Sequence, residues 1–101
     1  MTSVEILYFD ECPNYRRAIE LVEGLLAERG LDAELRVTRV ESPEAAVAAR
    51  FLGSPTVRVN GADVEPGADA RTDYVLACRV YRAAAGTSGI PHPAWIADAL
   101  G

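Results

Sequence analysis

The sequence predicts a single α/β domain over residues 1–101, with a four-stranded mixed sheet and helices on both of its faces. The length of 101 residues suits one domain, and an apolar fraction of 50% suffices for one hydrophobic core. The apolar periodicity changes repeatedly between that of a strand and that of a helix. The segments follow in the order β-α-β-α-β-β-α, in which two βα units precede a hairpin and a last helix.

The first βα unit has the clearest pattern. Residues 4–9 are mostly apolar β-formers, which is typical of a central strand buried on both faces. From Tyr15 to Leu26, apolar residues recur at spacings of three and four, as in an amphipathic helix. Pro13 suits the first helical position, and Gly30 suits the residue that follows the last turn.

The second βα unit is shorter. Residues 33–40 alternate between apolar and polar side chains, which predicts a half-buried strand near an edge of the sheet. Ser42 followed by Pro43 predicts the start of a short helix. This helix is expected to extend to Leu52 and to be closed by Gly53.

The second half of the chain is predicted as a strand, a tight turn, a surface loop, a fourth strand, a connection and a closing helix. These segments are, in order, residues 55–59, 60–61, 62–73, 75–81, 83–91 and 92–100. The turn is Asn60-Gly61, the pair that two-residue hairpins favour. The acids of the loop lack the spacing of a calcium site, so we expect them to be solvated: Asp63, Glu65, Asp69 and Asp73.

Composition excludes several classes of function. A net charge of −5 does not favour a nucleic-acid partner, which needs a basic face. No apolar run approaches the roughly 20 residues of a membrane helix, and the N-terminal residues do not resemble a signal peptide. We therefore expect a cytoplasmic protein with no membrane partner. In a reducing compartment a catalytic, redox or metal role for cysteine gains weight over a structural disulfide.

Cys12 is the main candidate for chemistry. It lies where the first strand ends and the first helix starts, so a thiolate there would face unpaired backbone N–H groups and the positive end of the helix dipole. Asp10 and Glu11 oppose ionisation by like charge, whereas Arg16 and Arg17 favour it. The sequence leaves the sum of these effects open.

A second motif, Ser54-Pro55-Thr56, opens the third predicted strand. If that strand runs antiparallel to the first, Pro55 comes to the same end of the sheet as Cys12. We therefore expect the two motifs to form one site.

Together, these motifs resemble the thioredoxin/glutaredoxin superfamily. The match covers the element order over nearly the whole chain, the Cys-Pro-x-x at the first helix and the Ser-Pro-Thr. The segments LYFDECPN (residues 7–14), GSPT (residues 53–56) and CRVY (residues 78–81) more closely resemble a group of small bacterial thioredoxin-like proteins. Some relatives of that kind are labelled as linked to organomercurial lyases.

The resemblance implies that Cys12 is the catalytic thiol and that Pro13 follows it in the active-site motif. It also implies a cis peptide bond before Pro55, and a cis bond is uncommon even before proline. In the family, the backbone of the residue before that proline, here Ser54, pairs with an extended peptide or with glutathione. Thr56 completes this supporting segment.

One position departs from the family pattern. Where the family has a second cysteine, three residues after the first, this chain has Tyr15. Cys12 could then act as a monothiol with glutathione as co-substrate, or Cys78 could supply the second thiol. The latter requires the two Cα atoms to lie within about 7 Å. A plain hairpin would place the start of the fourth strand at the far end of the sheet from Cys12, although the long 62–73 loop leaves the register open.

The other chemically distinctive residues have simpler interpretations. Cys78 lies in an apolar strand pattern and is interpreted as core. Arg79 is expected on a solvated face, with contact to an anion as the alternative. His92 suits a helix start, and Tyr15 and Trp95 are expected to pack.

Three hypotheses from different classes follow. The first is a thiol-disulfide oxidoreductase of monothiol character, acting on a small thiol or a protein disulfide without a bound cofactor. The second is a binding module for a soft metal or organomercurial that uses Cys12 and Cys78. The third is a non-catalytic thioredoxin-like scaffold, with a homodimer as a possible assembly.

Overall fold

The computed structural model describes residues 2–84 and 86–101, and within them it shows a mixed four-stranded sheet, a separate two-stranded hairpin and three α-helices. The elements are β1 (Thr2–Tyr8), α1 (Tyr15–Arg29), β2 (Ala33–Arg39), α2 (Pro43–Ala48), β3 (Thr56–Val59), β4 (Ala62–Asp63), a 3₁₀ turn (Ala68–Ala70), β5 (Tyr81–Ala83), β6 (Gly86–Ser88) and α3 (Pro93–Leu100). The strand order in the main sheet is β2-β1-β3-β4. Among the described helices, none has both the length and the apolar character needed to cross a membrane.

Strand β1 is central, as its apolar sequence predicts. It pairs parallel with β2, where Ile6 lies opposite Val37. It pairs antiparallel with β3, where Ile6 lies opposite Val57. Strand β2 is at the edge of the sheet, as predicted, but the alternation of burial covers only Ala33 and Leu35, because Val37 is exposed.

The two faces of β1 support two hydrophobic clusters. Because successive side chains of a strand point to opposite faces, Ile6 and Leu7 belong to different clusters. Residues of α1 and α3 pack in the cluster of Ile6, whereas residues of α2 pack in the cluster of Leu7 together with Phe51. Helices therefore cover both faces, as predicted.

Local turn chemistry agrees with the sequence at three places. Gly30 has φ 60° and ends α1 in the left-handed region. The Ser42 hydroxyl accepts a hydrogen bond of 3.1 Å from the Ala45 N–H and caps α2. Asn60 and Gly61 both have positive φ, 51° and 86°, as a tight hairpin between β3 and β4 requires.

Two helix boundaries differ from the prediction. Helix α1 begins at Tyr15 with Asn14 as its N-cap, so Pro13 lies in the preceding turn and not at the first helical position. Helix α2 ends at Ala48 and does not reach Leu52. Arg50, with φ 55°, takes the left-handed position that reverses the chain, and this turn directs Phe51 into the core.

The prediction for residues 75–81 was wrong. The fourth strand of the sheet is β4, which lies in the predicted surface loop together with the 3₁₀ turn. Tyr81 instead starts β5, and the hairpin of β5 and β6 extends into residues 83–91, which were predicted as a plain connection. Ala85 of that connection and Met1 lie outside the described residues. His92 caps α3, as predicted, because its Nδ1 accepts a hydrogen bond of 3.0 Å from the Ala94 N–H.

Candidate functional site

Cys12 lies in the turn between β1 and α1 and is fully buried, with 0% of its surface exposed. Its backbone N–H donates to the Phe9 carbonyl at 3.0 Å. Its Sγ donates to the Ser54 carbonyl at 3.5 Å, and the Ser54 hydroxyl accepts from the Phe9 N–H at 2.9 Å. Antiparallel pairing of β1 and β3 thus brings the two sequence motifs together.

The segment that faces Cys12 is rigidly held. The Ser54–Pro55 peptide bond is cis, and both residues are buried. The Thr56 hydroxyl donates to the Gly53 carbonyl at 2.7 Å, and the Tyr81 hydroxyl donates to the Pro55 carbonyl. Burial raises the pKa of Tyr81, so this phenol remains a donor.

Residues 75–79, here called the strap, run beside this segment instead of forming a strand of the main sheet. The Ser54 N–H donates to the Ala77 carbonyl at 2.8 Å, and the Arg79 N–H donates to the Ser54 carbonyl at 2.9 Å. These two bonds form a parallel bridge between Ser54 and Cys78. A third bond of 2.9 Å, from the Val75 N–H to the Phe51 carbonyl, holds the start of the strap.

Gly53 allows the strap to approach this closely. Its φ is +121°, in the region that favours glycine. A Cβ at this position would lie 2.9 Å from Cβ of Arg79 and 3.3 Å from the Ala77 carbonyl oxygen. Any larger residue would therefore collide with the backbone and side chain of the strap.

The strap brings Cys78 next to Cys12. The Cys78 side chain is exposed, so its interpretation as core was wrong. The neighbouring Cys12 thiol, through a side-chain hydrogen bond, raises the pKa of Cys78 to about 11, with partial burial as the second cause. Cys78 is therefore near Cys12 and not at the far end of the sheet, because residues 75–79 return alongside Ser54.

Arg79 is buried and not on a solvated face, which corrects the sequence prediction. Its guanidinium donates to both carboxylate oxygens of Asp63, at 2.8 and 3.1 Å, and to Glu65 at 2.8 Å. It also donates to the Thr56 hydroxyl at 3.1 Å. Burial, the largest single effect, opposes the charge of Arg79, but the hydrogen bonds and charges of Asp63, Tyr81 and Glu65 together outweigh it, so the pKa of the guanidinium is raised.

This ion-pair cluster also corrects the prediction for the acidic loop. Asp63 and Glu65 are not simply solvated, since only 13% and 14% of their side-chain surfaces are exposed. The sequence shows two acids at alternate positions and an arginine sixteen residues later, which gives no local signal that they meet. Arg79 is thus held by charges of its own chain, which take the place of the external anion considered from the sequence.

Other residues singled out from the sequence lie close to Cys12 in the chain, between the end of β1 and the start of α1. Tyr15 stacks on Tyr8 with ring centroids 4.3 Å apart, so it packs as expected, three residues after Cys12. Pro13 is exposed. The carboxylate of Asp10 is 3.5 Å from the guanidinium of Arg39, which partly offsets its charge near Cys12.

Comparison with protein-family models, with curated proteins and with solved structures found no match for this chain. Within residues 2–84 and 86–101, no group of three or more His, Cys, Asp or Glu side chains is placed to hold a metal ion.

The two thiols offer two kinds of chemistry. Adjacent thiols can be oxidised to a disulfide by exchange with an external disulfide, and two thiolates can ligate a soft cation. The two sulfur atoms differ in access, because Cys78 is exposed and Cys12 is not. Both reactions would be centred on the same pair.

Proposed function

We propose that this chain is a thioredoxin-like thiol-disulfide exchange protein whose redox pair is Cys12 and Cys78. The observation that carries the proposal is that both cysteines meet Ser54: Cys78 pairs with it in a parallel bridge, and the Cys12 thiol donates to its carbonyl. Tyr15 fills the position of the family's second cysteine in sequence, and Cys78 supplies a second thiol from a distant part of the chain. The four-stranded mixed sheet with helices on both faces is consistent with such a fold.

The exchange reaction balances with a disulfide as the only co-reactant. One thiolate of the pair attacks a sulfur of an external disulfide, forms a mixed disulfide and releases one thiolate. The second protein thiol loses its proton and attacks the protein sulfur of that bond. The products are a Cys12–Cys78 disulfide and two small thiols, and the reverse reaction reduces the protein.

A dithiol reaction fits the geometry better than a monothiol reaction of Cys12 alone. Monothiol chemistry needs an accessible Cys12 sulfur, whereas the residue has no exposed surface. The hydrogen bond from Cys12 Sγ to the Ser54 carbonyl also fixes the thiol inside the site. Its reaction partner is then the sulfur already beside it.

The experiment is incubation of the reduced protein with excess glutathione disulfide, followed by mass spectrometry of the intact chain and of its peptides. We expect wild type to lose two hydrogens, to retain no free thiol and to yield one cross-linked peptide that contains both cysteines. Cys12→Ala and Cys78→Ala serve as matched controls in which that cross-link cannot form. Wild type that keeps both thiols, or that accumulates only glutathione adducts, would overturn the proposal.

The same pair supports a second candidate function, the binding of a soft cation. Two thiolates form a two-coordinate site that suits such ions, and the exposed Cys78 gives access to it. With mercuric chloride as the probe, we expect one ion per chain in wild type and weaker binding in Cys78→Ser. Unchanged binding in that variant would contradict this function. If neither oxidation nor ion binding involves the pair, the scaffold hypothesis is favoured instead.

A further inference from the structure

The two thiols of the site are not equivalent toward solvent. Cys12 has 0% exposure, with Ser54 on one side and Cys78 on another. Cys78 is exposed, so its sulfur can meet a molecule from solution without movement of the chain. The accessible sulfur is therefore in the strap and not in the Cys-Pro motif.

The backbone of Ser54 is already occupied. Its N–H and its carbonyl are both used by the strap, through Ala77 and Arg79. An extended polypeptide that paired with Ser54 would first have to remove the strap, and buried backbone groups left without partners are costly. The strap thus takes the place that an extended substrate would need.

Several contacts hold the strap in this position. The buried ion pairs of Arg79 with Asp63 and Glu65 anchor its end. Removing one member of a buried charge cluster is strongly destabilising, so opening the strap is expected to be rare. The close packing of the strap on Gly53 adds shape complementarity at its middle.

From this asymmetry we infer that Cys78 is the thiol that attacks external disulfides, that Cys12 resolves the mixed disulfide, and that the substrates are small disulfides and not extended polypeptides. This inference rests on the proposed function. It reverses the order of attack implied by the position of Cys12 in the motif.

The reaction then has a defined sequence. The Cys78 thiolate attacks a small disulfide, the Cys78–substrate bond forms and one small thiolate leaves and takes a proton from solvent. Cys12 then loses its proton and attacks Cys78 Sγ, which releases the second small thiolate. Because the pKa of Cys78 is raised, its thiolate fraction is low at neutral pH and the first step accelerates as the pH rises.

The order of attack is tested with single-cysteine variants and glutathione disulfide at one pH. Cys12→Ala should form a glutathione adduct on Cys78 at least as fast as wild type loses its first thiol. Cys78→Ala should react at least about tenfold more slowly, because its remaining thiol is covered. Equal rates for the two variants, or a faster Cys78→Ala, would overturn the inference. The wild-type disulfide, which tests the proposed function, could still form in that case.

The shielding by the strap is tested separately in the Cys78→Ala background. Gly53→Ala introduces a Cβ that collides with the strap, whereas Gly86→Ala introduces one at a similar φ, +127°, with no heavy atom within 4 Å. We expect Gly53→Ala to raise the rate of Cys12 alkylation about tenfold or more, and Gly86→Ala to leave it unchanged. The same increase in both variants, or in neither, would contradict shielding by the strap.

The substrate class is tested by comparing two oxidants of wild type. One is glutathione disulfide, and the other is a disulfide of two ten-residue peptides with extended backbones and central cysteines. Glutathione disulfide should oxidise wild type at least about tenfold faster than the peptide disulfide does. In Gly53→Ala the ratio of these two oxidation rates should be smaller. Equal rates in wild type would exclude the preference for small disulfides.

Discussion

At the scale of single residues, Cys78 is the clearest case of an environment that changes chemistry. The pKa of an exposed thiol is ordinarily near 8.5. The hydrogen bond with Cys12 raises the pKa of Cys78 to about 11, because the protonated thiol is the form that this contact stabilises. The group that faces solvent is thus kept largely as a thiol at neutral pH.

Replacing Cys12 should reverse this effect. In Cys12→Ala the hydrogen bond and the charge interaction are lost, so the pKa of Cys78 falls toward its ordinary value. We expect the midpoint of Cys78 alkylation against pH to lie near 11 in wild type and lower in the variant. Peptide mass spectrometry identifies the labelled residue. Identical midpoints would show that Cys12 does not control Cys78.

The same shift predicts a weak dependence of stability on pH. The pKa of Cys78 is raised in the folded state, so the stability it contributes is fully present below the ordinary thiol pKa. That contribution is lost as the pH rises through about 11. Since Cys78 is exposed, this pH dependence of stability is small. The interaction of Cys78 with Cys12 therefore contributes little to the stability of the fold.

Arg79 shows the opposite case, a charge that supports the fold. Its side chain is 1% exposed and is paired with Asp63 and Glu65. We expect Arg79→Met to lower the free energy of unfolding by about 3 to 5 kcal/mol, because two carboxylates lose their counterion in a mostly buried place. Urea denaturation measures this, with the exposed neighbour as the control: Arg82→Met should change stability by less than about 0.5 kcal/mol. Equal losses in both variants would contradict the structural role of the cluster.

At the scale of elements, the predictable parts are those encoded by neighbouring residues. The spacing of three and four in α1, the Ser42 cap and the Asn60-Gly61 turn all depend on local chemistry, and the structure confirms them. The wrong helix boundaries follow from tertiary demands. Arg50 adopts a left-handed conformation that its sequence does not favour, so that Phe51 reaches the core.

The strap could not be predicted from the same rules. Residues 75–81 contain β-formers, but Val75 and Val80 are exposed, and before Tyr81 enters β5 the segment has strand pairing only at the Ser54–Cys78 bridge. What fixes this segment is the burial of Arg79 among acids that lie far away in sequence. The candidate site was therefore predictable around Cys12 and Ser54, while the proximity of Cys78 depends on long-range ion pairing that no local pattern reports.

The cap of α2 gives a test at this scale. Ser42→Ala removes the acceptor of the Ala45 N–H, and we expect the protein to lose about 1 kcal/mol of stability. Ser42→Asp, which keeps an acceptor oxygen and adds a charge favoured at a helix N-terminus, should restore most of it. Thermal unfolding of the three proteins measures the effect. A Ser42→Asp variant as unstable as Ser42→Ala would show that the cap is not the cause.

At the scale of the whole molecule, the site joins parts of the chain that are remote in sequence. Cys12 follows the central strand, Ser54 precedes β3, and Cys78 belongs to a segment held by acids in and after β4. A covalent bond between the two thiols would therefore link the first βα unit to the second half of the domain. Oxidation should then be visible as a change in global stability and not only in thiol chemistry.

Such a cross-link closes a long loop, between residues 12 and 78, and restricts the unfolded chain more than the folded one. For a loop of this size the chain-entropy model gives a stabilisation of about 4 kcal/mol. We expect wild type oxidised by glutathione disulfide to unfold at higher urea concentration than the reduced protein, with Cys78→Ser unaffected by the same treatment. Because Cys78 pairs with Ser54 and the Cys12 thiol donates to the Ser54 carbonyl, we expect the native state to need little rearrangement to form the bond. An oxidised protein that has lost both thiols but is no more stable than the reduced one would mean that the disulfide strains the native state by as much as it restricts the unfolded chain. The positions of Cys12 and Cys78 in the reduced protein would then differ from those that an unstrained disulfide requires.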